Sequence, residues 1–352
     1  MSPSRTEYRP PSTAFGVTRG WYIAAASSEV QKRPVQKTLC GIPVVLFRDA
    51  DGGMGALLDR CPHRGVPLSF GSVVDGTVQC GYHGWKFDAA GHCRAIPGLV
   101  GEPDQPARCV TPFPVREQQG FVWLWMDPSV DPDTEPFEFR LAGESGYTIV
   151  RKSLLAPGNL LAVAENALDV PHTAFLHGGL FRTDGDRNEI DCVIERGQDR
   201  VEAEYIGEPR PEGLAARVLS PSGGIVTHFD RFYLPSILEV EYRIGEENHI
   251  LLNAACTPVT PDETWLHAVV CVKSRIPGFL IRPVVQPIAL WIFGQDVEVL
   301  ALQTDLKNRM GDRYISTEVD LLGPHIARLL KHATDGDLNT LEPYRREVKM
   351  RV

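Results

Sequence analysis

The sequence predicts an α+β chain: an all-β N-terminal segment, then a larger part built from an antiparallel sheet flanked by helices. Three observations lead there. Apolar residues between Trp21 and Met126 fall in short alternating runs broken by turn formers, a Pro- and Asp-rich stretch follows at 127–133, and beyond it strand signals over 189–274 are bracketed by helical ones.

Residues up to about 18 form a Pro-rich, polar lead-in. Strand patterns then cover Trp21–Ala25, Ile42–Arg48 and Gly55–Asp59, with turns at Asp51-Gly52-Gly53 and Asp75-Gly76. The segment closes with Gly120–Met126, and Asp127-Pro128 with Asp131-Pro132-Asp133 mark a linker. The expected domains are 1–135 and 136–352. In the second, helices are expected around 157–175, 284–308 and 316–333. Strand candidates include Cys192–Glu195, Val201–Tyr205 and Trp265–Val272, and the polar tail after 334 reads as loose. No internal repeat is apparent.

Composition sets bounds. A chain of 352 residues can bury two separate cores, and its hydrophobic content of 43% is that of a globular protein. A net charge of −9, with no basic run, argues against a nucleic-acid partner and suits an encounter with a redox partner. Eight cysteines without a paired framework indicate a reducing compartment. The start has no apolar signal core and no stretch reaches membrane-span length, so the expectation is a cytoplasmic protein without membrane insertion.

Two short runs carry the chemistry. Cys61-Pro62-His63-Arg64 and Cys80-Gly81-Tyr82-His83-Gly84-Trp85 each offer one thiolate and one imidazole, with sixteen residues between His63 and Cys80. Zinc sites usually draw their ligands from Cys-Cys and His-His blocks, whereas a [2Fe–2S] centre with two Cys on one iron and two His on the other suits two like loops. The spacing favours iron–sulfur over zinc. These runs resemble the ligand loops of Rieske proteins, and more narrowly the N-terminal domain of the Rieske non-haem iron oxygenases. Gly65, Gly81 and Gly84 are expected where a Cβ would block the backbone's approach to the cluster.

Further on, Glu165-Asn166-Ala167-Leu168-Asp169-Val170-Pro171-His172 leads to His177. In a straight helix His172 and His177 would stand about 500° apart, well off a shared face, so the helix is expected to loosen between them. Two His and a carboxylate are a common set for mononuclear iron(II) that activates O₂. The carboxylate candidate is Asp296, on a helical run where it shares a face with Val299, Leu300 and Gln303. An exposed helix charge or cap is the alternative for Asp296. The resemblance agrees with the ligand reading, since the family carries its third ligand as an Asp on a late helix. The Glu often found five residues on is Ala301 here, while Gln303 matches.

By the same resemblance, Asp169 would bridge His83 of one subunit to His172 of its neighbour, and Asn166 is expected near the iron. Outside these runs, His92, His228, His249, His267, His325 and His332 read as satisfied surface or core residues. Cys40, Cys93, Cys109, Cys192, Cys256 and Cys271 read as small buried hydrophobes.

The resemblance covers most of the chain. It implies a terminal oxygenase component with a [2Fe–2S] cluster at Cys61, His63, Cys80 and His83 and a mononuclear Fe(II) at His172, His177 and Asp296. Electrons would come from NAD(P)H through a separate reductase or ferredoxin, because no dinucleotide-binding G-x-G-x-x-G opens a helix after a strand. A homotrimer is expected, with O₂ as co-substrate. The length fits the monooxygenase and demethylase branch acting on a hydrophobic or aromatic small molecule, with Ile237, Leu251, Leu252 and Trp291 as pocket candidates. A cis-dihydroxylating dioxygenase is the alternative within the class. A non-catalytic electron carrier or metal-binding sensor is the alternative outside it.

Overall fold

In the computed structural model, residues 17–178, 188–208, 226–245, 248–274 and 278–352 are described. The chain divides into two units, one running to Glu138 and including Thr257–Thr260, the other comprising Phe139–Cys256 and Pro261–Val352.

The first unit is all β. Its strands are β1 (Trp21–Ala26), β2 (Val35–Leu39), β3 (Ile42–Arg48), β4 (Met54–Leu58), β5 (Ser72–Val74), β6 (Thr77–Gln79), β7 (Lys86–Phe87), β8 (Cys93–Ala95), β9 (Val115–Gln118) and β10 (Phe121–Trp125). They form sheets ordered β1-β10-β9, β2-β3-β4 and β5-β6-β7-β8. Hairpins turn at Cys40-Gly41, Asp75-Gly76 and Gln119-Gly120, where both residues have positive φ, a pairing whose twist matches that of the strands. At Gly76 the requirement is also steric, because a Cβ would lie 2.1 Å from the Ala50 nitrogen. One core cluster packs Tyr22, Leu46, Val122 and Leu124, and another packs Phe47, Leu57, Leu68, Val78 and Phe87 around Cys61 and Cys80.

The second unit is built on β11 (Thr148–Pro157), β12 (Glu189–Arg196), β13 (Arg200–Ile206), β14 (Val226–Tyr233), β15 (Ile237–Ile244), β16 (Asn248–Thr260), β17 (Glu263–Lys273) and β18 (Tyr344–Arg351). The sheet order is β11-β17-β16-β15-β14-β13-β12-β18. Among the described residues, the α-helices that accompany it are α1 (Leu160–Ala167), α2 (Gly278–Met310) and α3 (Gly323–Asp335). β18 departs from the sequence reading, which left the tail loose. Its charged residues are exposed, Arg346 among them although it shares a face with buried Met350 and half-buried Tyr344 and Val348, and the strand pairs with β12 from Glu189↔Arg351 to Arg196↔Tyr344.

Strand alternation sorts side chains between two faces of this sheet. Tyr205, His228, Phe232, Leu238 and Ala254 share one face by register. Tyr205, Phe232, Leu238 and Ala254 pack in one core with Leu160, Val163 and Ala164 of α1, Leu300 of α2, and Ile326 and Leu329 of α3. The other face carries an ionic network. Arg231 reaches Glu239 and Glu241 at 2.9 and 2.7 Å, and Arg140, Arg243, His249 and Asn253 complete it. Ile237 and Leu251, expected to line a pocket, are buried on this second face; Leu252 lies on the first, and Trp291 is exposed.

Candidate metal centres

The two Cys/His loops are built alike. In the first, Cys61 N–H donates to Val66 C=O at 2.9 Å and Gly65 N–H to Cys61 C=O at 2.8 Å; in the second, Cys80 N–H donates to Trp85 C=O at 2.8 Å and Gly84 N–H to Cys80 C=O at 3.1 Å. Gly65 and Gly84 close these turns with φ of 73° and 72°. Gly81 instead sits against Phe70, whose ring a Cβ would approach at 2.9 Å. The ends of the first loop are tied by buried Asp59, which accepts from Ser69 N–H at 2.8 Å and Ser69 Oγ at 2.6 Å.

Both thiols are buried and both imidazoles lie close together. The His63 and His83 rings are 4.5 Å apart, and Trp85 stacks on His63 at 4.8 Å. Burial pushes the Cys61 thiol up to about 12, partly opposed by the His63 and Arg64 N–H groups at its sulfur. A positive iron pair would reverse that cost, since a coordinating thiol is deprotonated by the metal. His63 Nδ1 is buried without a hydrogen-bond partner, as a ligand nitrogen would be. The residues present therefore fit a [2Fe–2S] cluster.

In the second unit, the convergence begins at α1. Its N-cap Asn159 accepts from Ala162 N–H at 2.8 Å, a contact that stabilises a helix by about 1 kcal/mol. The helix stops at Ala167, and Leu168 and Val170 are anchored in the core on either side of Asp169. Contrary to the expected helix that loosens between the two histidines, the α-helix has ended before either, and Pro171–Ala174 form a tighter 3-10 turn that carries His172. It brings the His172 and His177 ring centroids to 5.0 Å.

Asp296 joins them from α2, whose Leu300 is buried one turn further on. His172 Nε2 and His177 Nε2 are 3.2 Å apart, and Asp296 Oδ1 lies 3.7 and 3.1 Å from them. These donors gather within 4.8 Å of one another. Asp296 Oδ1 is buried and has no hydrogen-bond partner beyond its approach to these two ring nitrogens. His177 is nearly inaccessible: burial works against its charged form, but Asp296 and Gln295 together lift its pKa above the ordinary value. The set fits a single metal ion with positions left open.

Asp169 meets His172 through its main chain. His172 Nδ1 donates to the Asp169 carbonyl, while the carboxylate Oδ2 stands 3.6 Å away and is 37% exposed. A cavity of about 420 Å³ opens beside this turn, lined by Asn166, Asp169, His172, Tyr205, Val299 and Gln303 among others. Val299, expected inward, is 38% exposed on its rim. Glu165 also lines it, and burial with the nearby Asp320 and Asp169 charges raises its pKa. Sequence reasoning missed Gln295 and Tyr205, which have no spacing relation to the ligand runs.

The histidines read as structural have partners. His228 lies between Glu208 at 2.6 Å and Asp230 at 3.0 Å and stacks between Tyr205 and Tyr242. His249 bonds Tyr147 and Glu241, His267 bonds Ser153, and His332 bonds Asp337. Among the six cysteines read as buried, Cys109 is half-buried with its thiol near Asp104, and the others are buried.

Comparison with known proteins identifies the family of both parts of the chain. The Rieske [2Fe-2S] domain family matches residues 20–113, and the vanillate O-demethylase oxygenase C-terminal domain family matches 157–335. The chain is 36% identical over 186 residues to the oxygenase component of dicamba O-demethylase from Stenotrophomonas maltophilia, covering 52% of this chain and 54% of that protein. It is 32% identical over 266 residues to the oxygenase component of chloroacetanilide N-alkylformylase from Rhizorhabdus wittichii, covering 70% and 73%. A crystal structure of dicamba monooxygenase bound to 3,6-dichlorosalicylic acid superposes with a TM-score of 0.77 at 24% identity over 93% of this chain and 100% of that one. The matched region spans about half the length of the first curated relatives. The chain belongs to the Rieske non-haem iron oxygenases, in the group with the vanillate O-demethylase type of catalytic domain. No helix among the described residues is long and apolar enough to cross a membrane.

Proposed function

We propose that the chain is the terminal oxygenase component of a system that hydroxylates, or oxidatively removes an O- or N-alkyl group from, a hydrophobic or aromatic small molecule. The observation that carries this reading is the convergence of His172, His177 and Asp296 within 4.8 Å, in a chain that also presents two matched Cys/His loops. Cys61, Cys80, His63 and His83 would hold a [2Fe–2S] cluster, and His172, His177 and Asp296 a mononuclear Fe(II). The chemistry supplied there is single-electron delivery by the one and O₂ activation beside substrate by the other.

The protein's own residues do the positioning. Trp85 fixes the His63 ring, and the Asp169 carbonyl fixes the tautomer of His172. Asn166 lines the cavity at His172. The exposed Asp169 carboxylate is suited to accept a proton from His83 of a neighbouring copy, which would link the two centres across a homotrimer interface. NAD(P)H electrons would enter through a separate reductase or ferredoxin, and the protein would work in the cytoplasm.

The test is turnover with a surrogate reductase, NADH and a panel of methoxylated and N-alkylated aromatics under ¹⁸O₂. A product carrying one labelled oxygen, or loss of the alkyl group, fits the reading. Two labelled oxygens on adjacent ring carbons would identify the dioxygenase alternative. A reduced cluster that consumes no O₂ with any substrate would leave an electron carrier.

A further inference from the structure

The geometry points to Gln295 as the positioning residue that fixes His177 for metal binding, a reading that rests on the mononuclear site proposed above. His177 Nδ1 lies 3.0 Å from Gln295 Oε1, while His177 Nε2 lies 3.1 Å from Asp296 Oδ1. Consecutive residues of α2 thus reach the two nitrogens of one ring. A carbonyl oxygen can only accept, so Nδ1 carries the proton and Nε2 presents its lone pair. With the ring 2% exposed, water does not replace that acceptor.

The two histidines differ in how they are held. His172 donates from Nδ1 to the Asp169 main-chain carbonyl, an acceptor that substitution cannot remove. His177 relies on a side chain, and on one adjoining the carboxylate that completes the site. Gln295 also sets the charge. As a neutral acceptor it leaves the triad with the single negative charge of Asp296, where a glutamate would add a second.

Outer partners of metal-bound histidines typically contribute 10- to 100-fold in affinity. The experiment measures Fe(II) affinity at the second site by chelator competition in the full-length, cluster-loaded protein. Parent, Gln295→Leu and Gln295→Glu are compared, with melting temperature and the cluster's visible spectrum as controls on folding. Gln295→Leu is expected to bind Fe(II) roughly 10- to 100-fold more weakly with an unchanged cluster spectrum. Gln295→Glu, which retains an accepting oxygen, is expected to bind at least as tightly as the parent. Parent-like affinity in Gln295→Leu, or a Gln295→Glu protein as weak as Gln295→Leu, would overturn the inference. If Gln295→Leu does not fold, the Gln295→Glu comparison decides. A parent that takes up no Fe(II) at all would instead refute the site.

Discussion

The main-chain carbonyl of Asp169 accepts from His172 Nδ1, and its carboxylate remains 3.6 Å from that nitrogen and partly exposed. One residue thereby fixes an imidazole inside its own unit and still offers a carboxylate outward. Asp169→Asn keeps the carbonyl and removes the outward charge. Both metal sites should fill as in the parent, with substrate-coupled turnover falling roughly 10- to 100-fold, measured as product formed per reduced cluster. Full activity in that variant would remove the bridging role.

Gly65 and Gly84 occupy equivalent turns, but their surroundings differ. A Cβ on Gly84 would come 3.0 Å from Pro97 Cγ, whereas at Gly65 the nearest atom is Arg60 Nε at 3.5 Å. Gly65→Ala should cost only the left-handed strain of about 1–2 kcal/mol. Gly84→Ala should cost more and lower cluster occupancy further, as read by visible absorbance and thermal melting.

The ionic network on the second sheet face predicts acid sensitivity. Burial alone would raise the Glu241 carboxyl, but hydrogen bonds from His249, Arg231 and Arg243 and the Arg140 charge hold it well below its ordinary 4.5. A depressed carboxylate contributes stability that is present above pH 4.5 and lost as pH falls below it. Melting temperature should therefore drop steeply below that pH. Arg231→Leu removes one cation from buried Glu239 and Glu241 but leaves them Arg140, Arg243, His249 and Asn253, so it should cost less than the about 3–5 kcal/mol of a fully broken buried pair at neutral pH and flatten the acid limb.

His228 gives the opposite limb. Burial would lower its pKa, yet Asp230 and Glu208 lift it to about 9. A raised imidazole contributes stability that is full below pH 6.5 and declines as pH rises through about 9. Melts from pH 6 to 10 should show this decline in the parent and not in His228→Gln.

Local chemistry made parts of this protein legible in its sequence. Cys61, His63, Cys80 and His83 stand in two short runs whose ligand types alternate, and the five-residue spacing of His172 and His177 excluded a continuous α-helix through both; the helix ends at Ala167 and Pro171 opens a separate 3-10 turn. Asp296 was readable because helical periodicity sets it one turn before the buried Leu300. Long-range relations were not legible. Gln295 meets His177 across 118 residues, and Arg231 finds Glu202, Glu239 and Glu241 only once three strands align. The last strand, Tyr344–Arg351, is not legible because five of its eight residues are charged and Arg346 interrupts the face formed by Tyr344, Val348 and Met350; pairing with β12 holds it in place.

The most direct test of the two-centre account is metal and sulfide content of anaerobically purified protein, with EPR of the dithionite-reduced sample, on the parent and on Asp296→Ala. The parent should hold about three irons and two sulfides per chain, with the low average g value of a His-ligated cluster, and Asp296→Ala should retain the sulfide and lose about one iron. A parent with about two irons after Fe(II) reconstitution would remove the oxygenase site, and zinc in place of iron would contradict the account at its first step.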